Sequence, residues 1–304
     1  MKKDKTIISK LTLIMLFTLC LFSCTESNSF DADCDKKINE SDIFNILKNY
    51  NDSIASAKQS RGIGWIGWLS VAIADCKGAY SGAKYGGRIG ALLGPNGAAI
   101  GATAGGIIVG GASSYSQFQV AKTISEFSPY SLQPQKIESQ ATFVKGFVLS
   151  ENLIKEEDFS LGISNGLDSC SVRIAIQHNI ILDKIDEFSV ADARDVCENL
   201  SDMERDIIYS EDFSNLYNST VEDPLNLTIE QDNNADQVIE LFIEAVETSC
   251  TDQESLNDIV KHYRNVVTFS LTLTDEEKEN IYTSISVMTY SFKYWSEKYP
   301  YLGN

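Results

Sequence analysis

Residues 65–116, WIGWLSVAIADCKGAYSGAKYGGRIGALLGPNGAAIGATAGGIIVGGASSYS, decide how the rest of the chain is read. Small residues recur there at every fourth position: Ser70, Ala74, Gly78, Gly82, Gly86, Gly90, Gly94, Ala98, Ala102, Gly106, Gly110 and Ser114. A second row, Gly97, Gly101 and Gly105, runs one residue earlier in the later half. Glycine costs a helix about 1 kcal/mol relative to alanine, so this density does not belong in an isolated helix in water. Close backbone approach offsets that cost, because rows of small residues let two helices pack with no side chain between them. The spacing predicts a glycine zipper, with Gly78, Gly82, Gly86, Gly90, Gly94, Gly101, Gly106 and Gly110 as its packing positions.

Within this stretch Gly94-Pro95-Asn96-Gly97 reads as a tight reversal: proline stops a helix, and glycine supplies positive φ. Two helical arms follow, about 66–93 and about 98–120, each on the order of 35 Å long, about the thickness of a bilayer's hydrocarbon core. The second arm lies in an uncharged run, Ile89 to Ala121. The first is amphipathic, with Lys77, Ser81, Lys84 and Arg88 on one face. Trp65, Trp68, Tyr80, Tyr85 and Tyr115 suit a membrane–water interface. A hairpin that meets a membrane and a hairpin buried in the protein's own helices both remain open at this point.

Charge divides the 304-residue chain. The net charge is −18, yet residues 138–304 hold 33 Asp+Glu against 11 Lys+Arg, while residues 61–122 hold five basic residues and a single acid, Asp75. An acidic body is a poor partner for nucleic acid, whose phosphates require clustered Lys and Arg. Two histidines leave little material for histidine chemistry or metal sites.

The first residues, MKKDKTIISKLTLIMLFTLCLFSC, combine a lysine-rich start with an apolar stretch too short for a comfortable span, the form of a secretory signal. Its end, Leu21-Phe22-Ser23-Cys24, resembles a bacterial lipobox of the kind found in Bacteroidetes lipoproteins. That resemblance implies cleavage before Cys24, acylation of its thiol and new amine, and a place in the cell envelope, at the outer membrane. The remaining cysteines, Cys34, Cys76, Cys170, Cys197 and Cys250, match no disulfide framework or zinc spacing. Most of them read as small buried residues, with one or two bridges among Cys170, Cys197 and Cys250 left open, since pairing is not legible in sequence.

The segments GAYSGAKYGGRIG, LLGPNGAAIG and GATAGGIIVGG resemble the glycine-rich unmodified bacteriocins and the glycine-zipper proteins of bacterial envelopes. Action on membranes through helix association is what this resemblance implies.

Beyond Lys122, Pro129 and Pro134 mark a linker, and helical patterns then run to the end. The stretch 42–58, with Ser41 as N-cap, is a short amphipathic helix. Helices are expected at 137–153, at 170–188 with Val172, Ile176, Ile180 and Ile185 on one stripe, and at 190–200, 202–209, 235–249 and 254–271, and 218–234 reads as a loop. The last helix opens on a capping box, Thr274 with Glu277, and repeats Ile281, Ile285, Met288, Phe292, Trp295 and Tyr299; a second box joins Ser201 to Glu204. The fold class is therefore mostly α: a glycine-zipper helical hairpin plus an acidic C-terminal helical bundle. Its parts are a lipoprotein signal peptide (1–23), a lipidated tether with a short helix (24–60), the hairpin (61–122), a linker (123–136) and the acidic helical domain (137–304).

No catalytic constellation emerges. His178 sits among isoleucines with Asn179 beside it and reads as a core histidine satisfied by a neighbour. His262 reads as a surface histidine paired with Asp258. Acid clusters at 156–158 and 276–279 lie at helix starts or in loops, where they complement the helix dipole. Catalytic, cofactor and metal residues are all expected to be absent. The expected partners are membrane lipid, through Cys24 and the hairpin, and a second copy or another envelope protein. A non-enzymatic envelope lipoprotein is the first expectation. A membrane-acting effector masked by its acidic body is the second, and an enzyme of unknown class carried by the helical domain the third.

Overall fold

The computed structural model describes residues 40–56, 63–124, 160–188, 192–197, 200–225, 227, 229 and 232–299. The signal, Cys24, the tether, the linker prolines and the expected helix at 137–153 lie outside the described residues. Among the described residues every regular element is a helix. In order they are α1 (Glu40–Ala55), α2 (Ile63–Ala91), α3 (Pro95–Ile124), α4 (Ser160–Ser164), α5 (Ser169–Phe188), a 3-10 turn (Ala193–Val196), α6 (Asp202–Ile208), α7 (Glu211–Glu222), α8 (Asn234–Ser249), α9 (Gln253–Phe269) and α10 (Asp275–Lys298).

Helices α2 and α3 run antiparallel along almost their whole length. Gly94, with φ +98°, makes the reversal, and Pro95 opens α3, where a missing N–H costs nothing. The seam is backbone against backbone. A Cβ on Gly82 would overlap the Gly105 carbonyl, one on Gly86 that of Gly101, and one on Gly90 that of Gly97. A Cβ on Gly78 would sit 2.6 Å from that of Ser113. In α3 the row 97/101/105 thus meets α2. Gly106 and Gly110 lie at the edge of the seam, between Ala79 of α2 and, respectively, Thr283 of α10 and His178 of α5. Gly94 packs against nothing within 4 Å and serves the turn instead.

The other helices enclose this pair. Trp68, Val71, Ala72, Cys76 and Tyr80 of α2 join one apolar core with α1, α8, α9 and α10. Ala104, Ile107, Ile108, Val109 and Ala112 of α3 join a second core with Ile181 and Ile185 of α5, Ile207 and Ile208 of α6, and Phe213 and Tyr217 of α7. Helix α3 is long and apolar enough to cross a membrane over Pro95–Ala121, yet 72% of that window is buried inside the protein. The base of the hairpin is closed by aromatic rings: Phe118 stacks on Trp295 at 4.3 Å between ring centres, with Trp68 and Tyr299 alongside.

Local signals account for most element ends. Both expected capping boxes form, at Ser201/Glu204 and Thr274/Glu277, and further boxes start α8 (Asn233/Asp236) and α9 (Asp252/Ser255). Elsewhere the sequence reading needs correction. Ser41 lies inside α1 rather than capping it. The stretch 190–200 yields a 3-10 turn over Ala193–Val196, capped by Asp192, among its described residues. Helix α7, begun by Ser210, occupies part of the expected loop, because Phe213, Tyr217 and Thr220 form a buried stripe. In α5 the buried face is Val172, Ala175, His178, Leu182 and Ile185, whereas Ile176 and Ile180 are half-exposed. Cys170 is disulfide-bonded while Cys197 and Cys250 remain thiols, so no bridge joins two members of that trio, and Cys76 and Cys250 are buried thiols as read from the sequence.

Candidate functional site

Among the described residues, two buried polar clusters join α2 to the later helices. The first is centred on Asp75, the one acid of the hairpin. Helical spacing places it on the face that carries Val71, Ala72 and Ala79, so the carboxylate is driven inside with them. It is 0% exposed, as is His178. His178 Nε2 lies 3.0 Å from Asp75 Oδ1. The Ser291 hydroxyl of α10 donates to Asp75 Oδ2, and Ser114 of α3 also bonds to the carboxylate. Trp295 Nε1 donates to Ser114 Oγ at 2.8 Å. Four helices thus converge on one carboxylate.

The proton inventory follows from the far side of the ring. Asn179 Nδ2 donates to the Tyr290 carbonyl at 3.1 Å, which turns Asn179 Oδ1 toward His178 Nδ1, also 3.1 Å away. Nδ1 therefore carries a hydrogen. Burial pushes the Asp75 carboxyl up, and His178, Ser291 and Ser114 oppose that shift.

An aspartate between a histidine and a serine has the residue types of a hydrolytic triad in the wrong order. The Ser291 hydroxyl donates to the carboxylate itself, and among the described residues no histidine hydrogen-bonds to it. Asp75, His178, Ser114 and Ser291 are each 0% exposed, and Cys76 beside them is a buried thiol whose pKa burial raises. The arrangement holds helices together. It presents no reacting atom to a substrate.

The second cluster, centred on Lys84, lies about two and a half turns along α2 from Asp75. Lys84, 4% exposed, places Nζ 2.9 and 3.0 Å from the two oxygens of Asp236, itself 0% exposed. Tyr80 donates to the same carboxylate at 2.7 Å, and the backbone N–H groups of Asp232 and Asn233 do so at 2.8 and 2.9 Å. Arg88 approaches Asp232 at 3.8 Å near the surface, and Lys77 donates to the Leu225 carbonyl at 2.6 Å. The basic face read from the sequence is thus matched to the acidic segment around Asp232 and Asp236.

His262 departs from its expected surface pairing with Asp258. Its ring stacks on Tyr50 of α1 at 3.7 Å and 8°, its buried Nε2 has no hydrogen-bond partner among the described residues, and burial lowers its pKa. Tyr50, beneath it, is pushed up to about 12 by burial, with Asp258 adding to the shift. Among the described residues no group of three or more His, Cys, Asp or Glu is placed to hold a metal ion. The zipper glycines lie where the fold places them, in the seam or against α5 and α10, and Cys24 is outside the described residues.

The sequence reading passed over Asp75. Its signal was present: a lone carboxylate within an otherwise acid-free, glycine-rich stretch must find a partner or a proton. The hydroxyl-rich run Ser284, Ser286, Thr289 and Ser291, all buried, was the matching signal on α10.

No protein-family model, curated protein or solved structure matches the chain.

Proposed function

We propose that the protein is a non-enzymatic envelope lipoprotein, anchored through an acylated Cys24, whose glycine-zipper hairpin is stored inside its own acidic helical bundle and meets lipid or a partner from that sheathed state. The observation that carries this reading is the pairing of Lys84 with Asp236. A cation on the hairpin is neutralised by a fully buried acid of the body, so hairpin and body belong to one folded unit. Removing either charge would strand the other in a water-poor site.

Carbonate and detergent fractionation of a Cys24→Ala variant, exported with a cleavable signal, tests it. The native protein is expected in the membrane fraction and the variant in the soluble fraction. A variant that stays in the carbonate-resistant pellet would show that the hairpin itself integrates, and the sheathed reading would fall.

A second reading, a membrane-acting effector, is favoured by the length and hydropathy of α3 together with the masking of the α2 cations by Asp232 and Asp236. Asp236→Ala unmasks Lys84. Under this reading the variant releases dye from phospholipid vesicles while the native chain does not; equal release by both rejects it.

A further inference from the structure

The enclosure of the hairpin stops short of its tip. Leu92 is 81% exposed and Leu93 46%, and Ala91, Pro95, Asn96 and Ala99 are exposed beside them. The backbone there is largely self-sufficient. The N–H groups of Leu92, Leu93 and Gly94 donate to the carbonyls of Ile89, Gly90 and Ala91, Ala98 N–H donates to the Gly94 carbonyl, and Pro95 has no N–H to satisfy. An apex whose amides are bonded internally can leave water without stranding those donors. The nearest charge on α2 is Arg88, its side chain half-exposed one turn behind the leucines, and the uncharged run carries on through α3 to Ala121.

We propose that this tip, residues 91–99, docks into the interfacial layer of a phospholipid leaflet, with Leu92 and Leu93 at the acyl boundary and Arg88 at headgroup level. The inference rests on the lipoprotein reading above, because the tip is a weak binder by itself. Two leucines, one of them already half-buried, give a hold weaker than one marginal lipid chain, and an anchor on the same chain turns that weak contact into an intramolecular one. The size and shape of the tip favour lipid over protein. A stable protein interface takes about 800 Å² per partner from some 20–30 residues. This apex offers a pair of leucines with two alanines, a proline and Asn96 around them, and a lipid surface needs no complementary groove while its headgroup layer can take the Asn96 amide.

The test uses the full-length lipidated protein in vesicles of phosphatidylethanolamine and phosphatidylcholine, whose zero net charge does not repel the acidic body. Leu92→Cys carries an environment-sensitive fluorophore. Ile163→Cys, 66% exposed on α4, carries the same label as the control, and native protein treated identically gives the background from its own thiols. Nitroxide-labelled lipid should quench position 92 several-fold more than position 163, and Leu93→Asp should remove the difference. Floating protein with equal quenching at the two positions overturns the tip contact and leaves the anchor standing. Protein that fails to float with the vesicles overturns both. A doubled mass in sedimentation with position 92 shielded from quencher would assign the tip to a second copy and overturn the lipid contact.

Discussion

His178 Nε2 and Asp75 Oδ1 lie 3.0 Å apart, 103 residues apart in sequence, and both side chains are wholly inside the protein. This contact explains how a hairpin built for close packing tolerates a carboxylate. The carboxylate is met by a ring from α5 and by hydroxyls from α3 and α10, so the groups that would be costly alone become mutually dependent.

Breaking that dependence should be expensive. Asp75→Ala leaves His178, Ser114 and Ser291 facing a void, and a loss of about 3–5 kcal/mol is expected, as for other buried pairs deprived of one partner. His178→Ala should cost a similar amount. The double variant should cost less than the sum by about 1 kcal/mol or more, because the second change removes a group already stranded. Urea unfolding of the four proteins closes the cycle, and additivity within experimental error would refute the coupling.

The seam offers a contrast between two glycines of one helix. A methyl on Gly82 runs into the Gly105 backbone, whereas one on Gly67 meets nothing within 4 Å. Gly67→Ala should stabilise by roughly 0.5–1 kcal/mol through helix propensity. Gly82→Ala should destabilise by about 1–3 kcal/mol, because the helices must separate to admit it. Thermal melts with shifts of the same sign would contradict the backbone-to-backbone seam.

Lys84 and Arg88 sit one turn apart and should differ in weight. Lys84→Met strips the buried Asp236 of its cation, although Tyr80 and two backbone amides still bond to it, and a loss of about 3 kcal/mol is expected. Arg88→Met removes a contact at 3.8 Å between half-exposed groups and should change stability by less than about 1 kcal/mol. Chemical denaturation distinguishes them, and equal effects would remove the buried pair from its central place.

His262 gives the fold an acid sensitivity where α9 meets α1. Burial lowers its pKa below the ordinary 6.5, so the unfolded chain takes up the proton first as pH falls. The stability it contributes is complete above 6.5 and is lost as pH drops from 6.5 through the lowered folded value. His262→Phe keeps the stack on Tyr50 without a proton site, and its stability should vary less with pH across that window. Parallel slopes for the two proteins, from denaturant midpoints measured at several pH values, would count against this assignment.

Local chemistry made much of the fold legible. The reversal at Gly94-Pro95 and the Thr274 and Ser201 boxes depend on residues within a few positions of one another, and they form as the sequence implies. The final helix buries Ile281, Ile285, Met288, Phe292, Trp295 and Tyr299, the stripe its spacing describes. Helix α7 was missed because its apolar positions are few and its buried Thr220 is polar. The face of α5 was misplaced because isoleucines surround it on all sides, and burial of His178 fixed the rotation.

The amino-acid sequence by itself determined that residues 63–124 fold back as two close-packed helices, since repeated glycines and a Gly-Pro reversal admit few other economical solutions. Only the tertiary structure decided which glycine row forms the seam, since rows one residue apart have the same periodicity and differ only in what packs against each. It also decided what covers the hairpin. The pairings of Asp75 with His178 and Lys84 with Asp236 join residues more than a hundred positions apart. Periodicity shows that a charge needs a partner, and the three-dimensional path of the chain determines which one it receives.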